Sequence, residues 1–340
     1  MYATGFSKRD KLSGIPPGFG MHRHFTKTIP CDKIRWLFIP SAFQENSDLN
    51  TRSIPYVLLL GAMFGTTLVV SRFSVGQFEP STYIGLRLVL SSMGFAVIYL
   101  LRIGKRTWPR GRQLWKHAII LGIFGTAIPM TGIVASLQYI SSGLASILIT
   151  INPAFTVILA HFFLTDERLT RNKTMGVFLA LGGAVMLAAL GETGLADTHG
   201  SLLGYTLILG GMLSSSAMTI YTRKYVQTLD TIDVSSIRLF VAALVVMPLS
   251  IAFVGFDLSQ VDTQGLMALI YASIFGTFLG MLFSLYNIQR FGATAAVMSA
   301  YVIPVVATLT GILLLGEQIT IGMVGGMILI ATGVWRLNKS

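Results

Sequence analysis

Two arginines, Arg87 and Arg238, stand inside otherwise apolar stretches of this 340-residue chain. A charged side chain at the centre of a membrane helix costs about 2.5–3.5 kcal/mol on insertion scales, so something must compensate each one. Each falls about four residues into its apolar block, roughly 6 Å of helical rise. Two readings follow: the guanidinium snorkels to the interface or bonds freed backbone carbonyls, or it meets an anionic or zwitterionic group of a solute. A second polar set surrounds Pro153 and Pro304, which fall near the middle of two further apolar blocks. A proline inside a helix removes a hydrogen bond and frees the carbonyl four residues earlier, here Ile149 and Ala300. A free carbonyl in hydrocarbon is costly unless it faces a polar cavity or finds a side chain. Thr150, Asn152 and Thr156 flank one proline, and Ser299 and Tyr301 flank the other. On this reading Asn152 and Tyr301, with Thr150 and Ser299 beside them, line a central cavity and hydrogen-bond a solute. On the plainer one the prolines only bend their helices and the hydroxyls satisfy their own backbones.

The elements that must position these residues are membrane helices. The chain is 53% hydrophobic and 11% charged, with mean hydropathy +0.70, against roughly 25% charged residues in soluble domains. From Ile54 onward the apolar residues fall into ten blocks, each near the roughly 20 residues a helix needs to cross about 30 Å of hydrocarbon. They are Ile54–Ser71, Tyr83–Leu101, Ala118–Leu137, Leu144–Leu164 and Met175–Leu190, then Leu202–Tyr221, Val234–Val254, Leu266–Ile288, Ala293–Leu315 and Ile321–Leu337. No period-2 alternation marks them as strands, and they are too long for membrane β-strands. Residues 1–53 are polar and basic and are expected to form a mostly disordered cytoplasmic tail. The single cysteine, Cys31, excludes an intramolecular disulfide and a cysteine-only metal cluster.

The blocks repeat. Ile123-Phe-Gly-Thr126 returns as Ile274-Phe-Gly-Thr277, Arg87-Leu88 as Arg238-Leu239, Gln138 as Gln289 and Pro153 as Pro304, all 151 residues on. Two repeats, 54–191 and 201–337, therefore carry five spans each. Five is odd, so the second repeat enters the membrane from the opposite face and the repeats are inverted. Inverted repeats are a recurring build of secondary transporters, because two like halves can exchange conformations around a midplane site. Of the 25 Lys and Arg residues, all but Arg72, Arg87 and Arg238 fall on one side of this topology. Basic residues flanking spans mark the cytoplasmic side, which places both termini in the cytoplasm of a cell that holds the protein in its plasma (inner) membrane. That placement also accounts for the formal charge of +11 without a nucleic-acid partner.

The remaining motifs read as structure. Glu167 and Glu317 each stand three residues before a threonine, Thr170 or Thr320, that suits the N-cap of the next helix. A carboxylate there is stabilised by the helix dipole, so both glutamates are expected to be structural caps. Glycines crowd the spans, among them Gly61, Gly65, Gly182, Gly183, Gly322 and Gly326. Small residues let helices pack closely in lipid, and the fifth and tenth helices also offer a homodimer face. His161, alone in the fourth span, is expected to bond a neighbour. There is no phosphate-binding Gly-x-x-x-x-Gly-Lys-Ser/Thr loop, no His-Glu-x-x-His and no Gly-x-Ser-x-Gly, and in-span carboxylates are absent. No cofactor, metal site or enzymatic chemistry is expected. A lipid-carrier flippase and a membrane-embedded sensor stay open as alternatives to a carrier.

Pro153 to Gly183 and Pro304 to Gly333 resemble the closing segment of the EamA domain, the five-helix unit of the drug/metabolite transporter superfamily. The likeness lies in a proline in helix 4, a glutamate at its end and a glycine-rich helix 5. The arginine of Gly85-Leu-Arg87-Leu and Ile237-Arg238-Leu resembles the arginine of that family's second helix. The resemblance covers about 54–337 in two copies. It implies a ten-helix carrier that moves small metabolites, often outward and without a nucleotide, and it does not imply one solute.

Overall fold

The structure, a computed structural model, describes residues 53–164, 169–195 and 202–338. The polar tail up to residue 52 and Glu167 lie outside them. The described chain is all helical. In the first repeat α1 (Ile54–Ser74) and α2 (Pro80–Leu100) are single helices. The third span is α3 (Arg112–Gly122), a π-helical segment (Ile123–Ala127) and α4 (Ile128–Ser136). The fourth is broken into α5 (Ser142–Ile149) and α6 (Asn152–Phe163), and α7 (Arg171–Ala189) is the fifth. The second repeat holds α8 (Leu202–Tyr225), α9 (Thr231–Phe253), α10 (Thr263–Tyr271) with a π-helical segment (Ala272–Leu279), α11 (Gly280–Leu315) and α12 (Ile321–Asn338). Among the described residues nine helices are long and apolar enough to cross a membrane, and the apolar stretch Ile321–Leu337 is a shorter tenth.

Local sequence explains where the helices start. Ser141 caps α5, its hydroxyl accepting from the Leu144 N–H at 3.1 Å, and Thr170 caps α7 by accepting from Lys173 N–H at 3.2 Å. Asp230 caps α9 through the N–H groups of Ile232 and Asp233. Proline sits in the first turn of α1, α2 and α6, where its missing N–H costs nothing.

The loop expected between the eighth and ninth spans is helical: α11 is 36 residues long, about 54 Å if straight. It is not straight, because its neighbours along α1 reverse order. Gly280 lies against Phe64 and Asn287 donates to the Tyr56 carbonyl, then Val302 lies against Gly61 and Val306 against Gly65. The start and end of α11 thus run in opposite directions, and the ten-span topology is kept.

The two repeats meet through counterpart helices. α2 and α9 run antiparallel: Thr82 bonds Ser250, Gly85 abuts Met247 and Tyr99 bonds Asp233. Since one is the repeat of the other, this contact is the inversion itself. α7 and α12 pack in the same symmetric way. A methyl built on Gly333 would lie 2.6 Å from the Ala180 nitrogen, and one on Gly183 would lie 3.1 Å from the Gly326 carbonyl oxygen. Several of the glycines expected to offer a homodimer face on the fifth and tenth helices therefore face each other within one chain. Beside them Leu144, Leu148, Ile151, Leu187 and Ile330 form a fully buried core. Large side chains such as Phe163, Phe178 and Leu313 are exposed, which in lipid needs no cover.

Candidate functional site

Between the repeats lies a cavity of about 620 Å³ whose wall includes both in-span arginines. One end is walled by Gln227, Leu229 and Thr231, in the turn from α8 to α9 and the start of α9. Ser71 and Arg87 mark the far end. From the pairing of α2 with α9, Arg87 is level with Val245, seven residues from Arg238. The two backbones are thus about 10 Å apart along the helices. Among the described residues no aspartate or glutamate lines the cavity.

Each arginine reaches into the other repeat. Arg87 Nε donates to Thr277 Oγ1 at 2.7 Å, and its Nη1 to Ser71 Oγ at 3.1 Å. Arg238 Nε donates to Thr126 Oγ1 at 2.8 Å, and its Nη2 to the Gly125 carbonyl at 3.0 Å. Thr126 and Thr277 are the threonines of the repeated Ile-Phe-Gly-Thr motif, and both fall in the π-helical segments. A π-helix widens the turn, a distortion often found at functional sites. Here each threonine hydroxyl points back to the carbonyl five residues earlier, Leu121 at 3.4 Å and Ala272 at 3.3 Å, while accepting from the arginine. All of these partners of the two guanidinium groups are neutral. Arg87 is 7% exposed, too buried to snorkel; Arg238 is half-buried.

The residues around the prolines are placed elsewhere. Asn152 starts α6, and its side-chain oxygen accepts from Ser216 Oγ of α8. Thr150 and Thr156 donate to Ile147 and Asn152 carbonyls of their own span. Ser299 is buried and Tyr301 packs against the core of spans 4, 5 and 10. None of Thr150, Asn152, Ser299 and Tyr301 lines the cavity, although Ile149 and Ile303, next to them, do. Pro153 stands at the start of α6, after the break, whereas Pro304 lies inside α11.

Glu317 is 8% exposed and caps a helix, but not the next one. Its carboxylate accepts from Ser142 N–H at 2.7 Å, Ser142 Oγ at 2.8 Å and Gly143 N–H at 3.1 Å, at the start of α5 in the other repeat. Thr320 meanwhile accepts from Met323 N–H and donates to Glu192. Gln318 N–H donates to the Gly194 carbonyl and Ser141 N–H to that of Thr193, so three turns on this face are stitched together. The cavity does not reach them. Beyond Arg87 stand Tyr83, bonded to Ser71 at 3.3 Å, and Phe78, its ring tilted against that of Tyr83 with centroids 5.6 Å apart. His161 accepts from Leu169 N–H at the opposite face. Among the described residues no group of three or more His, Cys, Asp or Glu side chains could hold a metal ion.

Sequence reasoning missed Thr126, Thr277 and Ser71 as arginine partners. The signal was present, since Arg87 with Thr277 and Arg238 with Thr126 are polar residues recurring at one offset inside apolar spans. That each pair crosses between repeats is visible only in three dimensions.

The EamA-like transporter family model matches residues 51–189 and, a second time, 202–338. A relative from Archaeoglobus fulgidus, described as an uncharacterized transporter, is 29% identical over 82% of this chain and 96% of its own. The uncharacterized inner membrane transporter YedA of Escherichia coli K12 is 27% identical over 77% of this chain and 84% of its own. A probable amino-acid metabolite efflux pump of Salmonella typhimurium is 24% identical over 82% and 92%. A solved crystal structure shares the fold, with TM-score 0.58 and 19% identity over 85% of this chain and 96% of its own.

Proposed function

The chain belongs to the EamA-like transporter family, and from that premise we propose that it carries small metabolites, such as amino acids or related solutes, outward across the plasma (inner) membrane by alternating access. It is a multi-pass transporter and not an enzyme. The observation that carries the reading is the cavity walled by both repeats, with the counterpart arginines Arg87 and Arg238 in its wall. Inverted repeats that enclose one site can expose it to either face by exchanging conformations. Both termini and the polar tail 1–53 are assigned to the cytoplasm, on the charge distribution of the loops. The α8–α9 turn follows Arg223 and Lys224, so the end of the cavity that it walls faces the cytoplasm, where an exporter loads. The efflux role named for the Salmonella relative supports the outward direction.

A metabolite profile of cells with and without the protein identifies solutes whose distribution it changes. Counterflow of one such labelled solute into proteoliposomes preloaded with the unlabelled form is the expected result. A flippase of large lipid carriers or a sensor would give none, and its absence would sink the proposal.

A further inference from the structure

Two guanidinium groups, that of Arg87 buried and that of Arg238 half-buried, face one cavity, and among the described residues nothing acidic lines it. Arg87 and Arg238 are held by threonine and serine hydroxyls and one backbone carbonyl. Such partners orient a guanidinium without neutralising it. Its planar fork of five donors matches a carboxylate, which it binds by two parallel charge-assisted bonds. In a low-dielectric wall an uncompensated positive charge favours an anion and repels a cation. The remaining polar lining is neutral, and much of the wall is apolar, with Leu68, Met130, Ile133, Val134, Met281 and Ile303 contributing. About 620 Å³ falls within the range of small-molecule sites.

We propose that the solute is an amphipathic organic anion, whose carboxylate or similar acidic group engages Arg238 while its apolar body lies against the aliphatic wall towards Arg87, whose positive charge adds to the field in the same cavity. This rests on the carrier reading above and narrows it. An amino acid in its ordinary zwitterionic form is disfavoured, because its ammonium group would meet two positive charges and no carboxylate. Arg238 is the more accessible of the two, lying near Val234 and Ser235 at the end of the cavity walled by the α8–α9 turn. Arg87 lies deeper, level with the far wall.

The test uses the full chain in lipid nanodiscs and four matched probes: 3-phenylpropionate, its amide, 3-phenylpropylammonium and L-phenylalanine. They share an aromatic body and differ in charge. Binding of 3-phenylpropionate at least about tenfold tighter than any of the other three is expected, since a hydrogen bond to a charged group contributes about 1.5–3 kcal/mol. Arg238→Gln should weaken it by about tenfold or more, and Arg238→Lys should restore part of the loss. Arg87→Gln is expected to do the same where it folds, and Arg238→Gln, at the half-buried position, decides alone where it does not. Equal binding of the amide, the ammonium or the zwitterion, no binding of the anion, or unchanged affinity in folded Arg238→Gln would each overturn the proposal. The titration reads binding alone. Anion-selective binding in protein that gives no counterflow would therefore sink the carrier reading and leave the charge selectivity standing.

Discussion

Spans 4 and 9 are counterparts, each with a central proline, and they have different shapes. In span 4 the helix stops at Ile149 and restarts at Asn152, with Ala154 N–H turning back to the Ile151 carbonyl at 2.8 Å. In span 9 the helix passes through Pro304 without a break. The neighbours account for the difference. Asn152 precedes the first proline and is tied to Ser216 of α8 through both its side-chain and backbone oxygens. Ile303 precedes the second and has no such polar group; there Gly61 and Gly65 let α1 close directly on Val302 and Val306. Spans 5 and 10 show the opposite behaviour. They are counterparts too, and their glycines meet in a symmetric way, Gly176 on Gly333 and Gly183 on Gly326. One pair of counterparts holds two shapes of the same unit and the other holds one. If the repeats exchange conformations as proposed, spans 4 and 9 are expected to change shape and spans 5 and 10 to serve as the base.

The strongest test of that contrast is to fill the base. Gly333→Leu puts a side chain where even a methyl lies 2.6 Å from backbone nitrogen, and backbone cannot swing aside as a side chain would. Loss of nearly all monodisperse protein on size exclusion is expected. Gly182, which directly precedes the packed Gly183 on α7, has nothing within 4 Å of an added methyl, and Gly182→Leu should leave the yield within about twofold of the parent. Equal loss from both would show that the base is not a specific contact.

Much of this was legible in sequence, for identifiable reasons. Span positions follow from apolar length, and the inversion follows from an odd number of spans in each copy. The arginine pair stood out because charge inside an apolar run has no cheap explanation. Local spacing alone reaches less far. Glu317 precedes Thr320 by three residues, which suggests a cap on the following helix, yet its partners are Ser142 and Gly143 in the other repeat. The two prolines looked equivalent, and only the contact with Ser216, on another span, distinguishes them. Asn152 and Tyr301 stand close to the two prolines, yet neither lines the cavity: Asn152 is tied to Ser216 of α8, and Tyr301 packs against the core of spans 4, 5 and 10.

The next largest effect is expected at the stitched face. Glu317 holds α5 of one repeat to the end of α11 in the other through three hydrogen bonds, and Glu317→Gln replaces a charged acceptor with a neutral one. Losing about 1.5 kcal/mol of charge-assisted bonding changes a two-state population by roughly tenfold. A cysteine at Thr67, in the cavity wall, reports access when the native Cys31 is replaced by serine. Labelling by an impermeant thiol reagent from the stitched side should rise about tenfold in Glu317→Gln. An unchanged rate would mean that this contact does not hold the stitched side of the cavity closed.

Asn152→Leu sharpens the contrast from the other side and is expected to be weaker. It removes the side-chain bond to Ser216, a neutral interaction contributing about 0.5–1.5 kcal/mol. With that tie gone, span 4 has less to hold it bent and moves toward the shape of span 9. Labelling of the same cysteine from the face of the α8–α9 turn should fall by about two- to tenfold. A rise instead would mean that Ser216 closes the break rather than keeping it.

The smallest expected effect lies where the loop after α2 meets the start of α9. Arg106 donates to Asp230 from Nη1 at 2.9 Å and from Nη2 at 3.2 Å, joining the 102–106 loop to the α9 cap. Burial acts to raise the Asp230 pKa, but the bond from Arg106 and those from the Asp233 and Ile232 N–H groups outweigh it and hold the carboxyl below its ordinary value. A depressed carboxyl stabilises the fold fully above the unfolded value of about 4, and that contribution disappears as the pH falls through the lowered native value. Asp230→Asn keeps an N-cap residue and removes the charge, so it isolates the ion pair. The Asp230 side chain is 47% exposed, and screening limits the pair to roughly 0.2–1 kcal/mol. At pH 7 the melting temperature of Asp230→Asn should therefore lie at most about 2 °C below the parent. The gap should stay constant down to about pH 4 and close below it. A gap that persists unchanged well below that range would mean that the asparagine alters the α9 cap itself, and that the Arg106 charge contributes nothing to holding this end of the second repeat.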